Sequence, residues 1–257
     1  MKIASWNVNS LKARLPHVER WIAESGADVL AMQEIKLLDE AFPHLMLEPT
    51  YAFRAVSGQK TYNGVALLAK RELHEVTFGV PGYDDPQARV VAGTVDGVRI
   101  VNLYVVNGES VGSPKYRYKL EWMARVRDYL AAELARYPEM VVLGDFNVAP
   151  DDRDVYKPER WREKVLCSTP EREALQSWLA LGLHDSFRLF EAGPGHHSWW
   201  DYRLMAYERG WGLRIDLVLV SDALKPRVAA AGIERAPRTW ERPSDHTPVF
   251  VELAPRP

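Results

Sequence analysis

The 257-residue chain contains one cysteine, Cys167, so it can form neither an internal disulfide framework nor a cysteine-built zinc cage. That composition fits a reducing compartment. No apolar run approaches the length of a bilayer span, so no membrane association is expected. The opening MKIASWNVNS puts Asn7, Asn9 and Ser10 where a signal peptide keeps its apolar stretch, and the expected location is the cytoplasm. A surplus of positive charge is also missing. Lys plus Arg number 33 against 35 Asp plus Glu, a net −2, which argues weakly against nucleic-acid binding because phosphates call for cations. The sequence has no GxSxG elbow, GxxxxGK[ST] loop, GxGxxG turn or HExxH pair, which sets aside several common hydrolase and nucleotide-binding chemistries and any nucleotide cofactor. It shows no internal repeat, low-complexity tract or linker. A single domain over residues 1–257 and a monomer are therefore expected.

What remains is an ordinary globular composition, 47% hydrophobic, with clear local patterns. Lys2–Trp6 reads as a strand. Leu11, Leu15, Val18, Trp21 and Ile22 then recur at helical spacing until Gly26. Compact apolar runs at 29–32, 65–69, 90–95, 98–105, 140–143, 215–220 and 249–251 read as further strands, with Asp96-Gly97 as a two-residue hairpin signal. Ser113-Pro114 opens a long amphipathic helix ending near Tyr137-Pro138, and Thr169-Pro170 opens a second one closing near Gly182.

Polar residues sit at the ends of these strands. Asn7, Glu34, Asp145 and Asn147 follow C-terminal ends, whereas Asp216 and Asp245-His246 stand at or before N-terminal ends. Taken singly, each has a conformational explanation, since Asn, Asp and Gly dominate turns. Together they form the pattern of oxygen ligands gathered at a sheet edge. If they meet at one site, their strands must run in opposite directions, which requires mixed sheets and excludes a purely parallel doubly wound fold. Carboxylates and carboxamides are hard donors, favouring magnesium or manganese over zinc. Phosphodiester hydrolysis needs a metal, a cation or strong donor, a base for water and an acid for the leaving oxygen. This set can supply all four.

Six segments in order, Trp6-Asn7-Val8-Asn9-Ser10-Leu11, Gln33-Glu34-Ile35-Lys36, Asn63-Gly64-Val65-Ala66, Gly144-Asp145-Phe146-Asn147, Leu213-Arg214-Ile215-Asp216 and Ser244-Asp245-His246-Thr247-Pro248-Val249, resemble the signature motifs of exonuclease III-type apurinic/apyrimidinic endonucleases. The resemblance spans nearly the whole chain. It implies an α/β fold, a four-layered sandwich of two mixed sheets packed face to face and flanked by helices. It also implies a magnesium- or manganese-dependent phosphodiesterase of base excision repair. Such an enzyme cuts double-stranded DNA 5′ to abasic sites and removes nucleotides or blocking groups from 3′ ends. Glu34, with Asn7 and Asp245 near it, would hold the metal. Asp145 would activate water or serve the leaving group, and Asn147 would help to hold that water and the phosphate. His246, paired with Asp216, would donate to the phosphate.

Tyr104 matches the family's active-site tyrosine; read on its own it is equally a strand residue facing the core. The family follows this tyrosine with an aromatic or aliphatic residue and proline, whereas here Val105-Val106-Asn107-Gly108-Glu109 follows. Ser198-Trp199-Trp200 resembles the segment whose tryptophan lines the pocket for the base-free sugar, which makes Trp199 a substrate-binding candidate beside Leu213. The basic groups Lys115/Arg117/Lys119, Lys157/Arg160/Arg162/Lys164 and Arg235/Arg238/Arg242 read singly as solvated faces. Lys115 and Arg117, flanking the site in sequence, are the better candidates for DNA phosphates. His196-His197 and Trp211 receive no functional role. Two other readings stay open, a catalytically silent nucleic-acid-binding regulator of this fold and an enzyme confined to 3′ ends.

Overall fold

The structure, a computed structural model, describes residues 1–256. Twelve strands form two six-stranded sheets. The first runs in the order β13 (Val228–Ile233), β14 (Val249–Leu253), β1 (Lys2–Asn7), β2 (Val29–Gln33), β4 (Val65–Ala69) and β3 (Phe53–Ser57). The second runs β5 (His74–Phe78), β6 (Val90–Val95), β7 (Val98–Tyr104), β8 (Met140–Asp145), β12 (Asp216–Ser221) and β9 (Leu183–Asp185). A two-stranded ribbon pairs β10 (Trp199–Trp200) with β11 (Gly212–Leu213). The sheets are mixed as expected, with β1·β2 and β7·β8 parallel and the other ladders antiparallel.

Each parallel pair is joined by a helix that covers its sheet, because a parallel crossover needs a long connection. The helix α1 (Leu11–Ser25) links β1 to β2 and stops at Gly26, which takes the left-handed φ of 66° common after a helix. It buries Leu11, Val18, Trp21 and Ile22 against the outer face of the first sheet, where the short α2 (His44–Leu47) also packs. The long α3 (Pro114–Arg136) links β7 to β8. With α5 (Thr169–Leu179), beyond the single-turn α4 (Pro158–Trp161), it covers the second sheet. Ile3, Val29, Ala31, Leu67, Ile100, Val141, Leu143, Val218 and Val251 meet between the sheets. The order of layers is therefore helix, sheet, sheet, helix.

Local signals are realised with small shifts. Asp96 and Gly97 take φ values of 49° and 76°, as a type I′ hairpin demands. Ser113 Oγ accepts from Tyr116 N at 3.0 Å, capping α3. The cap of α5 is Ser168 rather than Thr169, with Glu171 reaching back to the Ser168 amide in a capping box. Strands β3, β5 and β13 lie at or next to sheet edges and carry exposed or half-buried residues, so they lack the continuous apolar run that marked the others. Two basic residues expected on solvated faces, Lys119 and Arg238, are buried. Among the described residues no helix is long and apolar enough to cross a membrane.

Candidate active site

The loops at one end of the sandwich hold the polar residues together. Asn7 is the last residue of β1 and Glu34 follows β2, its parallel neighbour. Asp145 ends β8, paired with Tyr104 on one side and with Asp216, the first residue of antiparallel β12, on the other. Asp245 and His246 precede β14, antiparallel to β1. The opposed strand directions inferred from the residue order are thus present in both sheets.

Two glycines permit this crowding. A Cβ on Gly144 would stand 1.9 Å from the Leu103 carbonyl oxygen on β7, and one on Gly64 would stand 2.6 Å from Ile35 Cγ1. Glu34, Lys36 and Asn147 adopt left-handed φ values of 51°, 56° and 47°, conformations that cost non-glycine residues ~1–3 kcal/mol each unless the surroundings enforce them. Here Glu34 O accepts from Ser10 N at 2.8 Å, and Lys36 N donates to Asn63 O at 3.0 Å. The strand end cannot relax without giving up those bonds.

Asn7 Nδ2 donates to Glu34 Oε1 and to Asp145 Oδ2, both at 2.9 Å. One oxygen each from Glu34 and Asp145 and one ring nitrogen of His246 lie within 4.8 Å of one another. Lys36 Nζ stands 2.9 Å from Glu34 Oε2. Burial would raise the pKa of Glu34, but the Lys36 ammonium and the Asn7 amide overcome it and hold the carboxyl below its ordinary value. Asp145 is driven the other way, its pKa raised mainly by burial and further by the Asp216 carboxylate, against the opposing pull of His246. His246 Nδ1 lies 2.9 Å from Asp216 Oδ2, and its Nε2 is 3.6 Å from Asp145 Oδ2. Burial alone would favour neutral imidazole, yet Asp216 and Asp145 outweigh it and push the pKa to about 10. His246 is therefore a cation at neutral pH. Burial and then the carboxylates of Glu34 and Asp145 raise the Tyr104 hydroxyl well above its usual pKa, keeping it a donor.

Hard carboxylate oxygens converging on a single amide nitrogen, with one ammonium at the side, form a donor set suited to a divalent hard cation. The carboxylates are those of Glu34 and Asp145. Asp245 stands apart from this convergence, accepting from Asn9 Nδ2 at 2.9 Å and from Trp199 Nε1 at 3.0 Å. Asn147 N donates to Asp145 Oδ1 at 2.9 Å, and Asn147 Nδ2 donates to Val105 O at 3.0 Å.

Trp199 is half-buried and paired across the ribbon with Leu213, which is buried beneath it. Trp199 forms one wall of a cleft of about 590 Å³ whose other aromatic walls are Tyr156, Trp161 and Trp211, with Arg160 and Arg203 at its rim. Trp211, expected only to pack, stacks on Tyr156 with ring centroids 5.8 Å apart. Lys115 and Arg117 lie exposed on the first turn of α3, outside the carboxylate cluster, and the Arg117 guanidinium donates to Gly112 O at 2.9 Å.

Sequence reasoning missed several residues that hold these groups. Asn9 bridges Asp245 and Lys36, accepting from Lys36 Nζ at 2.6 Å. Ser198 Oγ donates to Asp216 Oδ2 at 2.7 Å. Asn107, in the segment that departs from the family pattern, donates to Asn147 Oδ1 at 3.1 Å and accepts from Glu109 N at 3.1 Å. It thus forms an Asx turn directly after Val106, the residue that stands where the family has proline.

Comparison with known proteins agrees with this geometry. The model of the Endonuclease/Exonuclease/phosphatase family matches residues 4–246. The chain is 36% identical to exodeoxyribonuclease III of Haemophilus influenzae over 98% of its length and 100% of that protein's. Among solved structures, the 3′ phosphatase NExo from Neisseria bound to product DNA hairpin superposes with a TM-score of 0.96 at 45% identity. That alignment covers 98% of this chain and 99% of the other. An AP endonuclease from Archaeoglobus fulgidus gives a TM-score of 0.94 at 34% identity, covering 98% and 99%. A fold of two mixed sheets, a carboxylate and imidazole cluster at their common end, and these full-length matches together establish that the chain belongs to the endonuclease/exonuclease/phosphatase family, in its exonuclease III-type branch.

Proposed function

We propose that the protein is a magnesium- or manganese-dependent DNA repair phosphodiesterase. On this reading it hydrolyses double-stranded DNA 5′ to abasic sites and at 3′ ends carrying nucleotides or blocking groups. The observation that carries this reading is the convergence of Glu34, Asp145 and an Asp216-paired His246 at one end of the sandwich. Relatives named exodeoxyribonuclease III, 3′ phosphatase and AP endonuclease, matched over nearly their whole lengths, support it. The reading includes a monomer working in the cytoplasm, and the single buried cysteine accords with that compartment.

Glu34, with Asn7 beside it, would hold the divalent cation, which supplies charge neutralisation at the phosphate, and Asp245, linked to Glu34 through Asn9 and Lys36, would orient its shell. Asp145, kept basic by its surroundings, takes the proton of the attacking water, and Asn147 helps to hold that water. His246, oriented and charged by Asp216, donates to a non-bridging phosphate oxygen as negative charge develops there. Tyr104 donates to the phosphate or the departing oxygen. Trp199, backed by Leu213, lines the sugar side, and Lys115 and Arg117 meet phosphates further along the duplex. The segments 161–168 and 193–202 set the balance between internal incision and end processing, because they border the aromatic cleft.

The test uses two end-labelled duplexes, one with an internal abasic-site analogue and one with a 3′-phosphate, each incubated with magnesium or with EDTA. Magnesium-dependent incision of the first is the expected result. Cleavage confined to the second would assign the protein to 3′ ends alone, and no reaction on either would overturn the enzymatic reading. In parallel, Glu34→Gln should weaken Mn2+ binding, read by titration calorimetry, by at least ~10-fold, since even outer partners of metal ligands are worth 10–100-fold. An unchanged affinity would remove Glu34 from the metal site.

A further inference from the structure

The proposed site is divided between two sheets that share no backbone ladder. Asn7, Glu34 and His246 come with the first, and Tyr104, Asp145 and Asp216 come with the second. Something must align the two halves. The interior between the sheets is apolar, and apolar contact is non-directional, so it resists separation far better than sliding.

Alternation along the strands shows what lies between that apolar interior and the site. On β1 the inward positions are Ile3, Ser5 and Asn7; on β2 they are Val29, Ala31 and Gln33; on β7 they are Ile100, Asn102 and Tyr104. Ser5 and Asn102 therefore lie two residues, roughly 6–7 Å, beneath Asn7 and Tyr104, and the side chain of Gln33, the ladder partner of Asn7, reaches them to complete a polar cluster. All three are fully buried. Asn102 Nδ2 donates across the gap to Met32 O on β2 at 3.0 Å and to Ala66 O on β4 at 2.9 Å. Those two carbonyls fix which end of the amide is nitrogen, so Asn102 Oδ1 is the acceptor for Gln33 Nε2 at 2.7 Å, and Gln33 Nε2 also donates to Ser5 Oγ at 3.0 Å. Apart from the site's own contacts, the fully buried side-chain hydrogen bonds that cross between the sheets among the described residues all belong to Asn102. The arrangement costs stability, since Gln33 Oε1 is buried without a partner.

We infer that Asn102, working with Gln33, is a positioning residue that sets the alignment of the two sheets and thereby brings Glu34 and Asp145 to their mutual distance. The strand neighbours are well placed for this. Gln33 directly precedes Glu34, and Asn102 lies two residues before Tyr104, the ladder partner of Asp145. The inference rests on the phosphodiesterase reading for its kinetic consequence but not for its structural one.

The test compares Asn102→Leu, Gln33→Met and the double variant by thermal unfolding, by steady-state cleavage of an abasic duplex and by Mn2+ titration. Asn102→Leu should lower the melting temperature and reduce kcat by ~10–100-fold, with KM for DNA changed little, as for other residues that orient ligands from behind. Gln33→Met retains both carbonyl bonds of Asn102 and should lose less. The double variant, which also removes the Gln33 amide but leaves the Met32 and Ala66 carbonyls without Asn102, should regain part of the melting temperature but keep the low kcat and a weakened Mn2+ affinity. Recovery of kcat together with stability would reduce the bridge to a structural feature and overturn the inference, as would a greater loss in Gln33→Met than in Asn102→Leu. If the unmodified protein cut no duplex, the phosphodiesterase reading would fall, and the Mn2+ titration would still decide the role of the bridge.

Discussion

Asp145→Asn should lower turnover on an abasic duplex by ~10²–10⁴-fold, the usual worth of a positioned proton transfer, while leaving affinity for DNA intact or improved. Asparagine has nearly the shape of aspartate but cannot take up a proton. Its amide must also replace one of two oxygens that now accept from Asn7 Nδ2 and Asn147 N, so one bond gives way. Affinity should not fall, because the substitution removes a negative charge from a site that receives a phosphate. The pH dependence carries a further sign. Burial raises the Asp145 pKa, so a base in this position is active above that raised value and silenced as pH falls through it. A cation nearby favours the ionised form, so more Mg2+ should move the acid limb of the wild-type profile to lower pH, and the variant should lack that limb. Single-turnover rates with Kd from the same titrations decide the matter. A loss smaller than about tenfold would take the proton-transfer role from Asp145.

Lys119→Met should destabilise the fold by ~3–5 kcal/mol, the range for breaking a buried ion pair by removing one partner. Lys119 and Glu171 are both fully buried, with Nζ 2.5 Å from Glu171 Oε1. The ammonium also donates to Asn147 O at 2.6 Å and Asn107 O at 3.1 Å. Methionine fills the volume of the lysine but leaves the glutamate charge with only the donors of its capping box and Leu166 N. At about 2–4 °C per kcal/mol for a chain of this size, the melting temperature should fall by roughly 6–20 °C. Removing both charges in Lys119→Met/Glu171→Leu should restore much of the loss, less the helix cap at ~1 kcal/mol. A single variant within about 1 kcal/mol of wild type in urea would show that the pair is no more than neutral.

That lysine also shows where the sequence stopped being legible. Its neighbours Lys115 and Arg117 sit on the exposed face of the same helix as expected, but Lys119, two residues on from Arg117, points inward. Nothing in a run of basic residues says which of them meets a buried carboxylate from a segment fifty residues away. The catalytic side chains were legible for the opposite reason. Asn7, Glu34, Asp145 and Asp216 interrupt or end apolar runs, and a polar residue breaking a buried strand stands out along the chain. Strand direction then followed from which end each occupied. Asn102 breaks a strand in the same way, yet its meaning depends on the facing sheet, and only the fold supplies that. The edge strands were invisible because a strand with one neighbour and solvent beyond carries no distinctive pattern. The aromatic cleft fell between these cases. Trp199 was marked by its motif, whereas Trp161, at the end of α4, and Trp211, in a loop, reach the cleft from separate segments.

The pairing of β14 with β1 has a consequence for the making of the protein. Strand Val249–Leu253 lies between β13 and β1, with Lys2 opposite Glu252. Strand β1 therefore waits for β14, made long after it, before its sheet can close. At ~5–20 residues per second that interval is roughly 10–50 s. His246 arrives only at its end, so the site lacks its imidazole until then. The reactive centre is thus completed by the strand made latest in its sheet.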